Sequence, residues 1–596
     1  MKTKLLKTSL ICLSAIVGGT AFAVDTSTYI NPANAGYDPG QIDNTNIIQG
    51  RRYQRETKEY AETKEPAVIE EEVRQKMDLL NTEQVSFTLK NIKISGNTQF
   101  PTYALMRLVD FKIGQRVTIN DLIMSANDIT DYYQSKGYVS TVAYLPPQKV
   151  QNGTVEIKIL EGKYGNVEIN PGRWERSSYL NSKYLEDYGI APGKVLNVNN
   201  VRNALTDMNT EEYMKGSIAF SDNEESEEYS DISLDVKDRF PLNFDIRYDN
   251  QGRDAIGTQR GVIYLGLHDV TGHGDTLMGT VSASHRSFGA GAIYSLPIAK
   301  NDTRLNLGYS YSKMRIGNGY GSDGIGLKWM NIKGDSNDYF IGISSRLLRG
   351  DDYRVYGDLT LDWRDTETTM FGKLYENRYR SRVIRGSITE VKDDIYGRWL
   401  LSGNIAGGLP IDASDYNKPR DLQSNNFVKL GGNLARLQVM PYNQLAILQV
   451  NGQYANRHLF AAEAMQIGGM SSVRGYDEGF LIGDYGVNAS FEYRFPIPFL
   501  KAMLPDKYDF ISDSIQLAGF YDFGLVGNRF QKDSYGYRTQ YLQSIGAGTI
   551  IKLTKYMSAN LYWGFPIGKS FYDYVGKDDY NRRACRFHFM LTSNIL

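Results

Sequence analysis

The chain has 596 residues, with 67 Lys and Arg against 68 Asp and Glu and a formal net charge of −1. That length calls for several domains or one very large one, and the even charge balance gives no sign of a nucleic-acid partner. The two cysteines, Cys12 and Cys585, leave no scope for a disulfide framework or a cysteine metal cluster.

Residues 1–23 read as a secretory signal. Lys2, Lys4 and Lys7 form a basic start, Leu10–Gly19 is apolar, and Ala21-Phe22-Ala23 is a small-x-small cleavage site. Cleavage after Ala23 removes Cys12 and three lysines and takes the net charge to about −4. Beyond that point no run of 18 apolar residues occurs, which excludes membrane-spanning helices. Yet 43 Tyr and 58 Gly are unusual for a soluble enzyme. Tyrosine, with an apolar ring and a polar tip, suits a membrane–water interface, so the chain points to a β-barrel or a secreted β-protein.

Residues 24–84 contain little core-forming sequence. Asp38–Lys64 reads as a helix, with Pro39 suited to its first turn and Glu65-Pro66 stopping it. Ile42, Ile47, Ile48, Tyr53 and Tyr60 are too sparse for an apolar face, so this helix is polar nearly all round, and Gly50 weakens its middle. A solvated spacer or an occupant of a polar cavity would both fit. Pro66–Gln84, with the acidic run Glu70-Glu71-Glu72, is its tether.

A compact unit opens at Val85. Phe87, Leu89, Ile92 and Ile94 are strand-like, Tyr103–Phe111 forms a short helix, and Thr118 caps a second one. There Leu122, Ala126, Ile129 and Tyr133 fall on one face. Strands at Val139–Leu145 and Thr154–Leu160 follow. Strand–helix–helix–strand–strand is about the smallest α+β order that buries its own core. GNTQFP at 96–101, KGY at 136–138, YLPPQ at 144–148, NG at 152–153 and EG at 161–162 resemble a POTRA domain of the two-partner secretion type. Residues 85–162 are thus POTRA domain 1. A weaker copy over 163–237 reads as POTRA domain 2, with strands at Gly165–Ile169, Ser217–Phe220 and Ile232–Val236 and helices at Ser182–Tyr188 and Val198–Met208. Edge strands pair with extended peptides through the main chain, and 139–145, 154–160 and 217–220 are the expected edges.

Over 238–596 the period becomes two. Leu242, Phe244, Ile246 and Tyr248 alternate with Asn243, Asp245 and Arg247, and Leu305–Tyr311 and Tyr353–Trp363 behave likewise. Apolar-out, polar-in alternation is the mark of transmembrane strands. Eleven strands are expected between 242 and 456 and five between 486 and 596. The total of sixteen closes a barrel with both ends on one side. Ile325–Ile332 would break that parity and is placed in an outer loop. Short turns are expected at Leu296-Pro297, Pro441-Tyr442 and Thr554-Lys555, and longer outer connections at 314–336, 412–425 and 567–583. The chain ends in Leu596, where many such barrels end in Phe or Trp.

Between the eleventh and twelfth strands lies Gly468–Gly486, GGMSSVRGYDEGFLIGDYG. It is too long for a hairpin turn and too apolar for a solvated one. Arg474, a cation among Val473, Tyr476 and Phe480, needs a fixed acceptor, and Asp522 in Phe520-Tyr521-Asp522-Phe523-Gly524 is the best one downstream. A VRGY loop followed by an FxDxG strand resembles the outer-membrane polypeptide transporters, and most closely the two-partner secretion transporters of the ShlB/FhaC/HecB type. The resemblance implies that Val473, Arg474, Gly475 and Tyr476 form a transport motif on a loop folded into the barrel. It pairs Arg474 with Asp522 in a wall motif of Phe520, Asp522 and Gly524. It also implies that the N-terminal helix plugs the pore.

No catalytic chemistry is legible. The five histidines show no HExxH or other ligand spacing, and neither a phosphate loop nor a GxSxG elbow occurs, so no metal, cofactor or enzymatic activity is expected. The expected protein is a monomeric outer-membrane transporter with its POTRA domains in the periplasm. Its partners are membrane lipid and one large secreted exoprotein, whether haemolysin, adhesin or toxin, which it exports and, in this family, can activate. Its rivals are a barrel-assembly insertase of the same superfamily and a passive porin, which would not need POTRA domains.

Overall fold

The computed structural model describes residues 76–78 and 86–594, apart from 318–330, 412–421, 498–513, 529–538 and 568–584 and breaks of one or two residues. The expected signal and the helix at Asp38–Lys64 lie outside the described residues. The chain divides into two compact units, Glu65–Pro241 and a second that contains Leu242–Leu596.

The first unit holds two α+β modules. The first module runs β1 (Phe87–Thr88), β2 (Asn91–Ser95), α1 (Thr102–Met106), β3 (Arg116–Val117), α2 (Ile119–Ser135), β4 (Val142–Tyr144) and β5 (Thr154–Leu160). Helix α2 starts where the sequence provides both halves of a capping box. The Thr118 hydroxyl accepts the Asp121 N–H, and the Asp121 carboxylate accepts the Thr118 N–H at 2.7 Å. Leu122, Ala126, Ile129 and Tyr133 then lie buried in a core shared with Ile92, Val155 and Ile157.

Glu161, at the end of β5 and 4 % exposed, ties this module together. Its Oε1 accepts the N–H groups of Thr98 and Gln99 at 2.8 and 3.1 Å and the Tyr133 hydroxyl at 2.8 Å, while the Thr98 hydroxyl donates to Oε2. Burial, reinforced by this carboxylate, pushes the Tyr133 hydroxyl well up, so it remains a donor. The GNTQFP turn and the EG that closes the module are thus two halves of one hydrogen-bonded knot.

The sheet order corrects one expectation. It is β2-β5-β4, with β2 parallel and β4 antiparallel to β5, while β1 and β3 form a separate ribbon. Strand 154–160 is therefore central, not an edge, and within 139–145 only Val142–Tyr144 is strand. Parallel pairing needs a crossover, here α1 and α2, and brings the first strand beside the last.

The second module repeats that topology. β6 (Lys163–Asn170), α3 (Ser177–Leu180), α4 (Val198–Thr210), β7 (Met214–Asp222) and β8 (Tyr229–Asp238) give the order β6-β8-β7. β6 is again parallel and β7 antiparallel to the central strand. The helix expected over Ser182–Tyr188 begins earlier, at Ser177, and continues through a π-turn and a 3-10 turn to Tyr188. Main-chain and amide donors join the modules. The Val198 N–H donates to the Gly137 carbonyl at 2.9 Å and the Asn197 side chain to the Lys136 carbonyl at 3.2 Å. The N-terminal donors of α4 thereby satisfy orphan carbonyls at the C-terminal end of α2, with the two helix dipoles complementary.

The other unit is a closed antiparallel barrel of sixteen strands. Its first half is β9 (Leu242–Asp249), β10 (Arg260–His268), β11 (Thr276–Ser284), β12 (Ser287–Ala299), β13 (Thr303–Arg315), β14 (Lys333–Arg349), β15 (Tyr353–Met370) and β16 (Tyr375–Asp394). Its second half is β17 (Gly397–Gly408), β18 (Val428–Met440), β19 (Gln444–Ala455), β22 (Tyr485–Pro496), β23 (Ile515–Gly527), β24 (Thr539–Thr554), β25 (Met557–Pro566) and β26 (Arg586–Asn594). Strand β26 returns to pair with β9. The alternation sorts the faces as the sequence requires: Tyr339, Ile341 and Ile343 of β14 point outward and exposed, while Asp338 is buried on the inner face. One turn is displaced. Leu296 and Pro297 lie inside β12, Pro297 at a register shift, and the chain reverses at Asn301 and Asp302, both in the left-handed region. A bulge near a strand end tolerates the missing proline N–H. Most of Ile325–Ile332 lies outside the described residues; Ile332 itself is buried against Ile256, Met314 and Ile316.

Charge-assisted hydrogen bonds to a buried carboxylate contribute about 1.5–3 kcal/mol. Glu161→Gln should therefore lower the melting temperature of the 86–241 fragment by about 4–10 °C, read by circular dichroism. A shift under about 1 °C would remove Glu161 as the organiser of this module.

Candidate functional site

The segment between β19 and β22 leaves the wall and folds inward. β20 (Met465–Ile467) and β21 (Leu481–Gly483) pair as a short ribbon, and the tip between them carries Arg474. Ile467, Val473, Tyr476 and Leu481 form one apolar cluster with Val383 of β16, Ala406 of β17, Val526 of β23 and Leu542 of β24. An apolar underside of this kind holds the loop against the inner wall and out of water.

The Arg474 side chain is 6 % exposed and that of Asp522 is fully buried. Nε and Nη2 of Arg474 donate to the two Asp522 oxygens, each at 2.8 Å, and the Arg474 main-chain N–H adds a third bond at 3.0 Å. Ser490 accepts from Nη2 at 3.0 Å and donates to Asp522 at 2.6 Å. The remaining nitrogen, Nη1, donates to Glu492. Below the guanidinium lies the ring of Phe520, its centroid 3.6 Å from the central carbon, and Tyr562 stands 4.9 Å away. Removing one partner of such a buried pair strands the other charge, at a cost of about 3–5 kcal/mol.

The FxDxG spacing now has a physical reason. Residues two apart in a strand share a face, so Phe520, Asp522 and Gly524 all point at the loop. Phe520 supplies the π face, Asp522 the bidentate acceptor, and Gly524 an absence: a Cβ there would stand 2.8 Å from Val473 Cγ2. The loop side is equally constrained. Gly475 has φ +96° and lies against Gly564 of β25, where a Cβ on Gly564 would come within 2.4 Å of the Gly475 nitrogen. The Gly475 N–H donates to Nε2 of His588 on β26 at 3.0 Å. Tyr476 donates its hydroxyl to the Gln543 carbonyl at 3.1 Å. The structure therefore brings all seven residues singled out in the two motifs into one contact region.

Sequence reasoning missed Glu492, Ser490, Tyr562, His588 and Gly564. Two of them were recoverable from register. Glu492 lies opposite Phe520 and Ser490 opposite Asp522 in the β22–β23 ladder. Glu492 and Arg494 are charges on the inner face of a strand otherwise rich in aromatics, and Tyr562 links them: its hydroxyl donates to Glu492 at 3.0 Å and accepts from Arg494 at 3.1 Å. Among the described residues no group of His, Cys, Asp and Glu is arranged to hold a metal ion.

Comparison with known proteins places this geometry. Residues 228–550, more than half of the chain, match the family of the haemolysin secretion/activation protein ShlB/FhaC/HecB, and residues 87–162 match the ShlB-type POTRA domain. The chain is 22 % identical to the heme/hemopexin transporter protein HuxB of Haemophilus influenzae strain 86-028NP, over 78 % of this chain and 81 % of that one. It is 23 % identical to the outer membrane transporter CdiB of Dickeya dadantii strain 3937, over 80 % and 83 % of the two chains. The solved structure of CdiB from Escherichia coli superposes with a TM-score of 0.72 at 19 % identity, covering 94 % of this chain and all of that one. With its closed barrel and its preceding POTRA-type module, the chain belongs to the ShlB/FhaC/HecB family of outer-membrane two-partner secretion transporters.

Proposed function

We infer that this chain exports one partner exoprotein across the outer membrane and that the VRGY loop, held inside the barrel by Arg474 and Asp522, is the moving part. The observation that carries this is a largely buried, charge-paired and apolar-backed loop inside a barrel of a secretion family. The insertase reading is less well supported, because the matching family model is one of secretion and activation proteins. The transporter acts as a monomer with its outer apolar rows in lipid, carries no catalytic centre and no cofactor, and draws export on binding and on folding outside. Its relatives are named for heme/hemopexin transport and for outer-membrane transport, and its family for haemolysin secretion and activation, which supports a secreted protein as the cargo class here.

Capture falls to the periplasmic modules, 85–162 and 163–237. In the second, β7 is the longer edge, nine residues against three for β4. The Asn209 side chain already occupies part of it, accepting the Gly216 N–H at 2.7 Å and donating to the Gly216 carbonyl at 3.2 Å. Gly216 therefore faces away from β8, and Ile218 and Phe220, two and four residues on, present their main-chain groups on that same side. An unfolded cargo segment would add there as a further strand.

Three outcomes are expected. Arg474→Ala should cut export to below about one-tenth while the barrel stays assembled, as judged by heat-modifiable migration in gels. Wild-type export by that variant would end the idea. The 86–241 fragment should bind unfolded partner with a Kd in the micromolar range, and Phe220→Pro should weaken it about tenfold by deleting an outward N–H. A melting curve of the same variant checks its fold, and unchanged affinity would move capture elsewhere. If Asp38–Lys64 plugs the pore, deleting 38–64 should raise conductance in planar bilayers; equal conductance would make that segment a spacer.

A further inference from the structure

The same loop carries a second buried charge, of opposite sign, outside the VRGY motif. Glu463 precedes β20 and its side chain is 2 % exposed. Lys429 of β18, 1 % exposed, donates to Glu463 Oε2 at 2.8 Å and to the Glu463 main-chain carbonyl at 3.0 Å. Arg385 of β16 donates Nη1 to Oε2 at 3.0 Å and Nη2 to Oε1 at 2.5 Å. Arg364 of β15 approaches Oε1 at 3.9 Å. Beside this cluster Phe460 stacks on Tyr379 of β16, with centroids 4.6 Å apart and planes 6° from parallel.

The charges on the wall explain why the loop needs both signs. Arg385 is also held by Asp362, and Arg364 by Asp338. In this cluster three wall cations, Lys429, Arg385 and Arg364, meet two wall carboxylates, Asp362 and Asp338, and Glu463 supplies a third carboxylate. Around Arg474 the imbalance is reversed: the wall brings Asp522 and Glu492 against Arg494, and Arg474 completes the set. A single tether would let the loop pivot. Two tethers of opposite sign fix both its position and its direction, because turning it end for end would set like charges together at both sites.

We propose that Glu463 is a positioning residue, a further electrostatic anchor that holds the incoming arm of the loop to β16 and β18, so that the loop leaves the lumen only when the Glu463 pairs separate as well as those of Arg474 and Asp477. The proposal rests on the reading that loop position governs export, and the test separates the two. In full-length transporter in outer-membrane vesicles, Cys585→Ser removes the free thiol and Ala464→Cys, at a site 2 % exposed, reports loop displacement to a hydrophilic maleimide. Glu463→Gln should raise the labelling rate at least about tenfold, with barrel migration in gels unchanged. Glu463→Lys should label faster still, and Glu463→Lys with Lys429→Glu, which restores neutrality, should return labelling and export toward the parent. The anchor is overturned if Glu463→Gln labels within about twofold of the parent while Arg474→Ala labels faster. It is equally overturned if the charge-swapped pair labels as fast as Glu463→Lys alone. Faster labelling by Glu463→Gln with full export leaves the anchor standing and removes loop position from the export step.

Discussion

A guanidinium withdrawn from water must be surrounded by fixed acceptors, and much of this barrel's interior can be read from that need. Arg474 binds Asp522 three times, Glu492 once and Ser490 once, and lies on the Phe520 ring. Each of those partners is itself held. Ser490 bridges to Asp522, and Glu492 accepts from Arg494 and Tyr562. In a confined polar site, a network in which every member is satisfied is rigid, and one with a member missing is costly. Two close-approach glycines, Gly524 and Gly564, matter as much as the charges, because without their bare Cα atoms the loop backbone could not come near enough for the bonds to form.

The same requirement reaches the end of the barrel. Loop residue Asp477 pairs with Arg586 and the Gly475 N–H meets His588, both on β26. That strand closes on β9 through only five paired positions, Met590–Asn594 against Asp245–Asp249, the shortest ladder among the described barrel strands. Asn250 lengthens it without adding strand: its side chain donates to the Phe587 carbonyl at 2.8 Å and accepts the Phe589 N–H at 2.9 Å. An amide side chain has the donor and acceptor of a peptide group and can stand in for one. Closure of the barrel thus rests on backbone pairing, on one mimicking side chain and on the loop within.

The sixteen strands were legible because lipid outside and polar lumen inside impose a period of two, and no other periodicity competes with it. The transmembrane turn at Pro297 was misplaced because a bulge absorbs the proline inside β12. The two modules were legible as element order, from the capping Thr118 and the face of Leu122, Ala126, Ile129 and Tyr133, but strand adjacency was not. Residues 154–160 are central since β2 pairs with β5 in parallel across two helices, and nothing local in Thr154–Leu160 records a partner so distant in sequence. At the site, Arg474 and Asp522 could be paired from motif and charge alone. Glu463 could not, because its three cations come from β15, β16 and β18 and meet only when the barrel has closed.

The periplasmic unit shows how a small amount of polar chemistry sets geometry for function. Each module buries its own apolar core. A handful of hydrogen bonds joins them at the α2–α4 contact, where Asn197 serves twice: it caps its own helix by accepting the Asn199 N–H at 2.9 Å and donates to the Lys136 carbonyl. Donors from the Asn199 side chain and the Val198 N–H complete that contact. Each bond closes an orphan group at a helix end, so separating the modules would leave the carbonyls of α2 and the donors of α4 to water together. Helix-end chemistry and Val139, which packs against the apolar core of the second module, together make the contact between the two modules. A cargo strand added to β7 would meet a platform whose orientation does not depend on its own binding.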